Sequence, residues 1–130
     1  MITVTPIQEK NEQQRLCALC GIPFVQELLA YRAEDDGVFA GICQFKTDHE
    51  GGHLYHLAAP TGEEHTEALF VTGRATLNFI DLCGIRMAYF DGVGADDALL
   101  RRIGFTPDKD GRYAICLEGF FEHPCSHASC

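Results

Sequence analysis

The 130-residue sequence has no apolar run long enough to cross a membrane, and no basic segment precedes an apolar stretch at its start. A membrane-spanning helix needs roughly 20 predominantly apolar residues in a row. A secretory signal needs a positively charged region followed by an apolar one. The sequence therefore predicts a protein with neither a membrane span nor a secretory signal.

Basic residues are scarce. Lys and Arg number 10 against 19 for Asp and Glu, which gives a formal net charge of −9 at pH 7, and the basic residues form no cluster. Binding to nucleic acid or to an anionic membrane depends on clustered positive charge. We therefore expect neither nucleic acid nor a membrane among the partners of this protein.

The cysteines do not form a paired pattern. Seven of them are spread at irregular spacings, whereas a disulfide framework in a small secreted protein needs an even number. We interpret them as free thiols in a reducing compartment, and we expect a cytoplasmic protein.

The length and an apolar content of 46% fit one globular domain. We assign residues 1–119 to this domain and residues 120–130 to a tail rich in His and Cys. The first helix is predicted to begin at Thr5, the N-cap of a capping box completed by Gln8, with Pro6 at the first helical position. It is expected to run to Cys20 and to end at Gly21.

Apolar and β-branched runs predict the strands, which lie at residues 2–4, 28–33, 38–45, 53–59, 85–90 and 112–118. Residues 24–30 also fit a helical turn, and that alternative stays open. Asp36 and Gly37 form the strongest hairpin signal in the chain. Residues 46–52 and 91–94 are predicted loops.

A long and largely buried helix is predicted over residues 63–83, because apolar side chains cover much of its circumference. Thr61 and Glu64 have the spacing of a capping box at its start. A shorter helix follows over residues 96–103 and is expected to end at Gly104.

The order β-α-β-β-β-α-β-α-β, with a meander of three strands before a central helix, resembles the GNAT superfamily of N-acetyltransferases. The local match is best at residues 100–105, where a short helix ends in Gly104 and Phe105; a second match is the helix end at Gly84 and Ile85. The resemblance implies a single-domain α/β fold with a mixed, mostly antiparallel sheet and a central buried helix.

The resemblance also implies acetyl-CoA as the cofactor. In this family its diphosphate rests on backbone N–H groups at the start of the central helix, where the helix dipole is positive. Here the matching turn contains Gly62. Backbone N–H groups at the edge formed by Leu57, Ala58 and Ala59 are expected to polarise the thioester carbonyl.

The family motif in this turn is degenerate here. Thr61, Glu64 and Thr66 occupy positions where the family has Arg or Gln, Gly, and Gly or Ala. Glu63, Glu64 and Glu67 place negative charge where the diphosphate would lie. The predicted capping box would also occupy the helix N–H groups that a ligand needs.

The acid–base residues of the family are only partly present. Many members have a Tyr, the general acid, at the position of Leu100, which cannot donate a proton. Tyr89 is an alternative by proximity alone, and a buried tyrosine of the core is the simpler reading. His56, on the predicted fourth strand, is the candidate general base; a structural histidine is the alternative.

Cysteine and histidine patterns suggest a weaker hypothesis. Cys17 and Cys20 have the C-x-x-C spacing, but they fall in the last turn of a helix, where the dipole disfavours a thiolate. Cys125, His127 and Cys130 could join them in a zinc site only if the tail folds back. We therefore assign no metal site. His53 and His56 are expected on opposite faces of their strand.

The leading prediction is an acyl-CoA-dependent N-acyltransferase. One alternative is a catalytically degenerate GNAT-like binding or regulatory module, and another is a metal- or redox-sensing domain. The expected acceptor is a small-molecule amine or a partner protein, and the expected state is a monomer or a homodimer. The acceptor's identity is not readable from the sequence.

Overall fold

We describe residues 1–121 of the protein from a computed structural model. Within these residues three helices and seven strands are present; they follow the predicted order, with one additional two-residue strand between the third helix and the last strand. Their bounds are β1 (Ile2–Pro6), α1 (Lys10–Leu19), β2 (Leu29–Asp35), β3 (Val38–Thr47), β4 (Gly52–Ala58), α2 (Thr66–Leu82), β5 (Met87–Val93), α3 (Asp97–Ile103), β6 (Thr106–Pro107) and β7 (Tyr113–Cys116). The predictions made for the cysteines and histidines of the tail lie outside the described residues.

All seven strands form one mixed sheet in the order β1-β2-β3-β4-β5-β7-β6. Every neighbouring pair is antiparallel except β4 and β5, which are parallel. The chain reaches β5 from β4 through α2, because parallel neighbours need a long crossover. The predicted single-domain α/β fold with a mostly antiparallel sheet is confirmed.

The β2–β3 hairpin forms where the sequence places it. Asp36 has φ 52° and Gly37 has φ 85°, and the flanking residues Asp35 and Val38 pair directly. Two consecutive positive φ angles are typical of a type I′ turn, which matches the twist of the strands. Residues 25–28 form one turn, closed by a hydrogen bond from Leu28 N–H to the Val25 carbonyl at 3.1 Å, and β2 begins directly after it at Leu29.

The predicted start of the first helix is wrong. Thr5 and Pro6 belong to β1, and α1 begins at Lys10 with Glu9 as an N-cap that makes no side-chain hydrogen bond. A proline is tolerated in β1 because that strand is at the edge of the sheet, where a missing N–H interrupts no inner ladder. The predicted end is confirmed, with Gly21 at φ 65°.

Helix α2 packs over one face of the sheet, against β1 to β4, and also contacts α3. Its buried residues lie along one side and are Ala68, Leu69, Thr72, Gly73, Thr76, Leu77 and Ile80. Ile80 fits directly over Gly52, since a Cβ on that glycine would lie 2.6 Å from a methyl of Ile80. The opposite side is open, and Leu82 is 76% exposed. The central position predicted for this helix is confirmed.

A bulge in β4 decides which side chains face which layer. Gln44 pairs with His56 and Phe45 pairs with Leu54, so Tyr55 is an extra residue with no partner of its own on β3. An extra residue shifts the alternation of the strand by one position. Leu54 therefore faces α2, whereas Tyr55 and His56 both face the α1 side.

This bulge overturns the expectation that His53 and His56 lie on opposite faces. The ring of His53 stacks near that of Tyr55, at 6.1 Å between centroids, and His56 bonds Gln44 on the α1 side. Both histidines thus face the same side of the sheet, although they take part in different networks.

Strand β5 is longer than predicted. It runs through residues 91–93, which were expected to form a loop. Leu54 pairs with Phe90 and His56 with Val93, so two steps along β4 match three along β5. The extra residue allows β5 to stay paired with the bulged strand β4. Asp91 and Gly92 are therefore part of a strand, although their residue types are typical of a loop.

The thiols are free at Cys17, Cys20, Cys43 and Cys83, as predicted. Cys116 is disulfide-bonded, so the expectation of free thiols throughout is wrong there. No helix within residues 1–121 combines the length and the apolar character needed to cross a membrane.

Replacing Gly92 tests how closely β4 and β5 approach. A Cβ on Gly92 would lie 1.2 Å from the carbonyl oxygen of Tyr55, so the two backbones would have to separate. We expect Gly92→Ala to lower the free energy of unfolding by at least about 3 kcal/mol, as measured by urea unfolding. The neighbouring Val93→Ala, at a position 58% exposed, should cost less than about 1 kcal/mol. Equal losses in the two variants would contradict the close approach.

Candidate functional site

A cleft opens where β4 ends and α2 begins. Its volume is about 440 Å³. β4 and the chain leaving β5 still lie close together at this point. A Cβ on Gly94 would lie only 2.5 Å from the carbonyl oxygen of Leu57. The cleft is lined by the end of β4, the turn after it, the start of α2, the residues that lead into α3, α3 itself, and the residue that follows α1. These residues are Cys20, Ala58, Ala59, Pro60, Thr61, Gly62, Glu63, Glu64, His65, Thr66, Leu69, Gly94, Asp96 and Leu99.

The start of α2 is not capped as predicted. The helix begins at Thr66, its N-cap is His65, and no side chain caps it; the proposed Thr61–Glu64 capping box is therefore wrong. The first bond within the helix runs from Leu69 N–H to the carbonyl of His65. The N–H groups of the first turn have no acceptor within the helix, and they border the cleft.

Acidic residues surround this helix start, and two of them are paired. Glu63 lies 2.7 Å from Nε2 of His65, and Glu67 pairs with Arg102 of α3. Within residues 1–121, Glu64 makes no ion pair. The positive charge of Arg102 balances that of Glu67, so Glu63 and Glu64 carry most of the negative charge that remains at the turn.

Three of the four residues predicted to bind the cofactor line the cleft. Ala58, Ala59 and Gly62 do so, and Gly62 has φ 82°. Leu57 is fully buried in the core, so it contributes only backbone there. The Cys20 thiol donates to the Ala58 carbonyl at 3.5 Å.

No tyrosine replaces the missing general acid. Leu100 is 2% exposed and belongs to the core. Tyr89 does not line the cleft; its ring stacks on His53 at 5.6 Å and lies under the guanidinium of Arg112 at 3.8 Å. The structure therefore does not bring Tyr89 to the proposed reaction site.

His56 is held by a buried amide whose orientation is fixed by the backbone. Oε1 of Gln44 lies 3.4 Å from the N–H of Val25, and Nε2 of Gln44 donates to the carbonyl of Pro23 at 2.8 Å. The Val25 N–H can only donate and the Pro23 carbonyl can only accept, so the oxygen and nitrogen of the Gln44 amide cannot exchange places. Nε2 of Gln44 therefore also donates to Nδ1 of His56, at 2.9 Å.

The chain of bonds continues to the surface. Nε2 of Gln13 donates to Oε1 of Gln44 at 2.8 Å, and Nζ of Lys10 donates to Oε1 of Gln13 at 3.1 Å. Both glutamines are fully buried. We call Lys10, Gln13, Gln44 and His56 the amide relay. Every bond in the relay points toward His56.

The relay determines the protonation of His56. Nδ1 accepts a hydrogen bond, so the neutral ring carries its proton on Nε2. Burial lowers the pKa of His56, which favours this neutral form. To act as the predicted base, His56 would have to take a proton on Nδ1 and lose its bond to Gln44. The geometry assigns it the role of a hydrogen-bond donor.

A second polar cluster surrounds His53, which is 3% exposed. Its Nδ1 lies 2.8 Å from Asp91 and its Nε2 lies 2.9 Å from Asp48. Carboxylates only accept hydrogen bonds, so each ring nitrogen bonds its carboxylate as the donor. Arg112 bonds both oxygens of Asp91 and also Glu50.

Asp48, Glu50 and His53 are close enough to hold a metal ion, with ligand atoms within 4.8 Å of one another. These atoms already have protein partners, since Arg112 neutralises Glu50 and His53 bonds Asp48. Asp48 also accepts the N–H groups of residues 50 and 51. The cluster therefore works as an ion-pair network that ties the β3–β4 turn to β5.

Cys17 and Cys20 behave as core residues. Burial raises the pKa of Cys17 to about 11 and that of Cys20 to about 12. Thiols with such values are not nucleophiles near neutral pH. This agrees with their interpretation as small apolar side chains.

Gln13 and Gln44 were not predicted from the sequence as residues of the site. One signal was available for Gln44, which is the only amide in an otherwise apolar strand, residues 38–45. A polar side chain at such a position needs buried partners. Nothing in the sequence indicated that its partner would be His56.

Neither a protein-family model nor a curated protein sequence matches the chain. Solved structures do. An IAA acetyltransferase from Bacillus cereus superposes with a TM-score of 0.67 at 17% identity, covering 84% of this chain and 79% of that one. A ribosomal-protein alanine N-acetyltransferase from Escherichia coli gives 0.66 at 14% identity, covering 99% and 97%. The PaiA N-acetyltransferase from Thermoplasma acidophilum, in complex with coenzyme A, gives 0.65 at 11% identity, covering 89% and 99%.

The chain has the fold of the GNAT N-acetyltransferases. The resemblance seen in the sequence is confirmed at the level of the fold. At identities of 11 to 17%, the likeness extends to the arrangement of helices and strands and not to activity.

The cluster around His53 predicts an acid-dependent loss of stability. The hydrogen bond from His53, with backbone N–H groups of residues 50 and 51, lowers the pKa of Asp48 to about 2. The unfolded chain therefore takes up this proton first as the pH falls below about 4. Stability from Asp48 is complete above that pH and is lost as the pH falls toward 2.

We expect Asp48→Asn to make stability fall less steeply between about pH 4 and pH 2. Urea unfolding over a pH series measures this slope. Asp110→Asn, in an exposed turn, is the matched control and should keep the slope of the original protein. An unchanged slope in Asp48→Asn would show that the His53 bond does not hold this carboxyl.

Proposed function

We propose that the protein is an acyl-CoA-dependent N-acyltransferase that transfers an acetyl group to an amine. The observation that carries the proposal is the cleft at the end of the parallel β4–β5 pair, bordered by a helix start with no side-chain cap. Three solved structures of the same fold, those of PaiA and of two Escherichia coli proteins, have coenzyme A bound.

The residues of the cleft fit this cofactor in part. The first-turn N–H groups of α2 would hold its diphosphate, because unpaired donors and the helix dipole favour an anion there. The edge formed by Ala58 and Ala59 would hold the pantetheine arm, and Leu69 and Leu99 would exclude water from it. The carboxylate of Glu64 opposes the diphosphate, so we expect weak binding.

Acetyl-CoA supplies an acyl group activated as a thioester. The chain's contribution is to position and polarise that group, with backbone N–H groups at the end of β4 as the donors. No side chain at the position of Leu100 can donate a proton to the departing sulfur. A thiol of ordinary acidity, with a pKa of about 8.5, can leave as the thiolate without such a donor.

The second candidate is a binding or regulatory module that holds the cofactor without transferring its acyl group. Buried Leu100 favours it, because the position of the family's acid is filled by the core. Glu64 favours it as well. A thiol-release assay with amine acceptors separates the candidates, since the module binds acetyl-CoA but produces no free thiol beyond the rate of hydrolysis.

The proposed cytoplasmic location rests on the four free thiols. The disulfide at Cys116 argues the other way. The acceptor is proposed to be a small amine or an amine on a partner protein.

Acetyl-CoA should raise the melting temperature. A ligand at a hundredfold excess over its dissociation constant stabilises the folded state by about 2.7 kcal/mol. For a domain of this size the shift is several degrees, as measured by differential scanning calorimetry. No shift at millimolar acetyl-CoA would contradict both candidates.

Removing the charge of Glu64 should strengthen binding. We expect Glu64→Gln to lower the dissociation constant of CoA about two- to fivefold, because one exposed charge near a diphosphate contributes about 1 kcal/mol or less. Isothermal titration at low salt measures this, and the gain should shrink at high salt. The control, Asp110→Asn, changes the net charge equally but lies in a distant turn. An equal gain in both variants would point to net charge rather than to this turn.

A further inference from the structure

A second cavity lies on the α1 side of the sheet, beside the bulge in β4. Its volume is about 270 Å³, and its lining residues are Val25, Glu27, Leu28, Lys46, Tyr55 and His56. None of them lines the acetyl-CoA cleft. The bulge creates this cavity's wall, because it brings Tyr55 and His56 to the same face.

One buried polar atom of the cavity wall, Nε2 of His56, has no protein partner within residues 1–121. Nδ1 of His56 is taken by Gln44, and within residues 1–121 Nε2 bonds nothing. His56 is only 9% exposed, yet every fully sealed side-chain nitrogen and oxygen of the described chain has a partner. Nε2 is therefore not sealed, and the cavity that His56 lines is where it opens. Because the relay fixes the tautomer, Nε2 presents a proton.

Two charged side chains border the cavity. Nζ of Lys46 lies 5.8 Å from the ring centre of Tyr55 and 3.7 Å from Asp48, so its charge is partly balanced. Glu27 is exposed and makes no ion pair within residues 1–121. The cavity thus offers an apolar wall, the Nε2–H of His56, the partly balanced ammonium of Lys46 and the carboxylate of Glu27, which has no ion pair within residues 1–121.

The cavity and the cleft are neighbours. His56 lines the one and Ala58 lines the other. Two residues along a strand span about 7 Å, and both side chains face the α1 side. The wall of the cavity at His56 therefore lies about 7 Å from the cleft residue Ala58 at the end of β4.

We propose that this cavity binds a small apolar amine that also carries a carbonyl oxygen, such as the amide of an apolar amino acid. The Nε2–H of His56 donates to the carbonyl oxygen, Glu27 binds the ammonium group, and Val25, Leu28 and Tyr55 contact the apolar body. Its assignment as the acceptor of the acyl group rests on the proposed function, whereas the binding itself does not.

Gln44 is a positioning residue in this proposal. It never contacts the ligand, but it fixes which nitrogen of His56 carries the proton. With Gln44→Met, of similar length and unable to donate, Nδ1 loses its partner and the tautomer is no longer imposed.

The first experiment measures the tautomer directly. Long-range nitrogen–proton NMR spectra of the full chain should show His56 protonated at Nε2 and unprotonated at Nδ1. Gln44→Met should give a mixture. Thr76→Val, which removes a buried hydroxyl that bonds Thr72 and Cys43 on the α2 side of the sheet, should leave the tautomer unchanged. A proton on Nδ1 in the original protein would overturn the proposal.

The second experiment titrates three probes without CoA, followed by NMR shifts of residues around the cavity. L-Phenylalaninamide has the ring, the amine and the carbonyl; 2-phenylethylamine lacks the carbonyl; glycinamide lacks the ring. We expect phenylalaninamide to bind about fivefold more tightly than phenylethylamine, the value of one neutral hydrogen bond, and glycinamide to bind most weakly. His56→Phe should abolish the difference between the two aromatic probes.

Glu27→Gln should weaken the binding of both aromatic probes, whereas Asp110→Asn should leave the binding of both unchanged. If acetyl-CoA binds but no probe shifts the cavity residues, this proposal is wrong and the proposed function stands. If the probes bind there and acetyl-CoA does not bind, the cavity proposal stands and the acyltransferase assignment is wrong. Equal affinity of the two aromatic probes for the original protein would overturn the role of His56.

Discussion

The single extra residue at Tyr55 in β4 is the constraint on which the rest of the site depends. A regular strand would place His56 on the same face as Leu54, under α2 and within the apolar core. The bulge keeps Leu54 and Leu57 in that core and turns Tyr55 and His56 to the other side. β5 has its own extra residue, so the parallel pair remains hydrogen-bonded past the irregularity. The cleft at the start of α2, the amide relay and the second cavity are all formed in part by the last residues of β4.

Burying two glutamines and a histidine costs free energy unless each polar atom finds a partner. The relay meets that requirement with backbone groups of residues 23, 25 and 28 and with Lys10 at the surface. Because the backbone bonds allow one orientation of Gln44 only, the relay does more than satisfy the glutamines. It gives His56 one tautomer, and so it decides that the histidine donates a hydrogen bond rather than accepting a proton.

The start of α2, where the family resemblance implies a bound diphosphate, combines two opposing features here. Free N–H groups and the dipole favour an anion, and the acidic turn opposes it. The ion pair of Glu67 with Arg102 lessens the opposition. Glu63 and Glu64 are left as the main difference between this turn and one suited to a diphosphate. This balance of charge affects how strongly an anion binds at the start of α2. It does not affect the protonation of a leaving group, which depends on the side chain at position 100.

The sequence by itself determined the order of elements, the hairpin at Asp36 and Gly37, and the helix ends at Gly84 and Gly104. These features follow from local rules: glycine adopts positive φ at turns and helix ends, and apolar periodicity marks buried elements. Only the tertiary structure decided the rest. α1 begins later than predicted because Pro6 pairs in an edge strand. α2 begins later than predicted because residues 60–65 form the turn that lines the cleft instead of a helical cap. The bulge at Tyr55, and with it the face of His56 and its contact with Gln44, arises from pairing with two neighbouring strands at once, and no local pattern in β4 specifies that pairing.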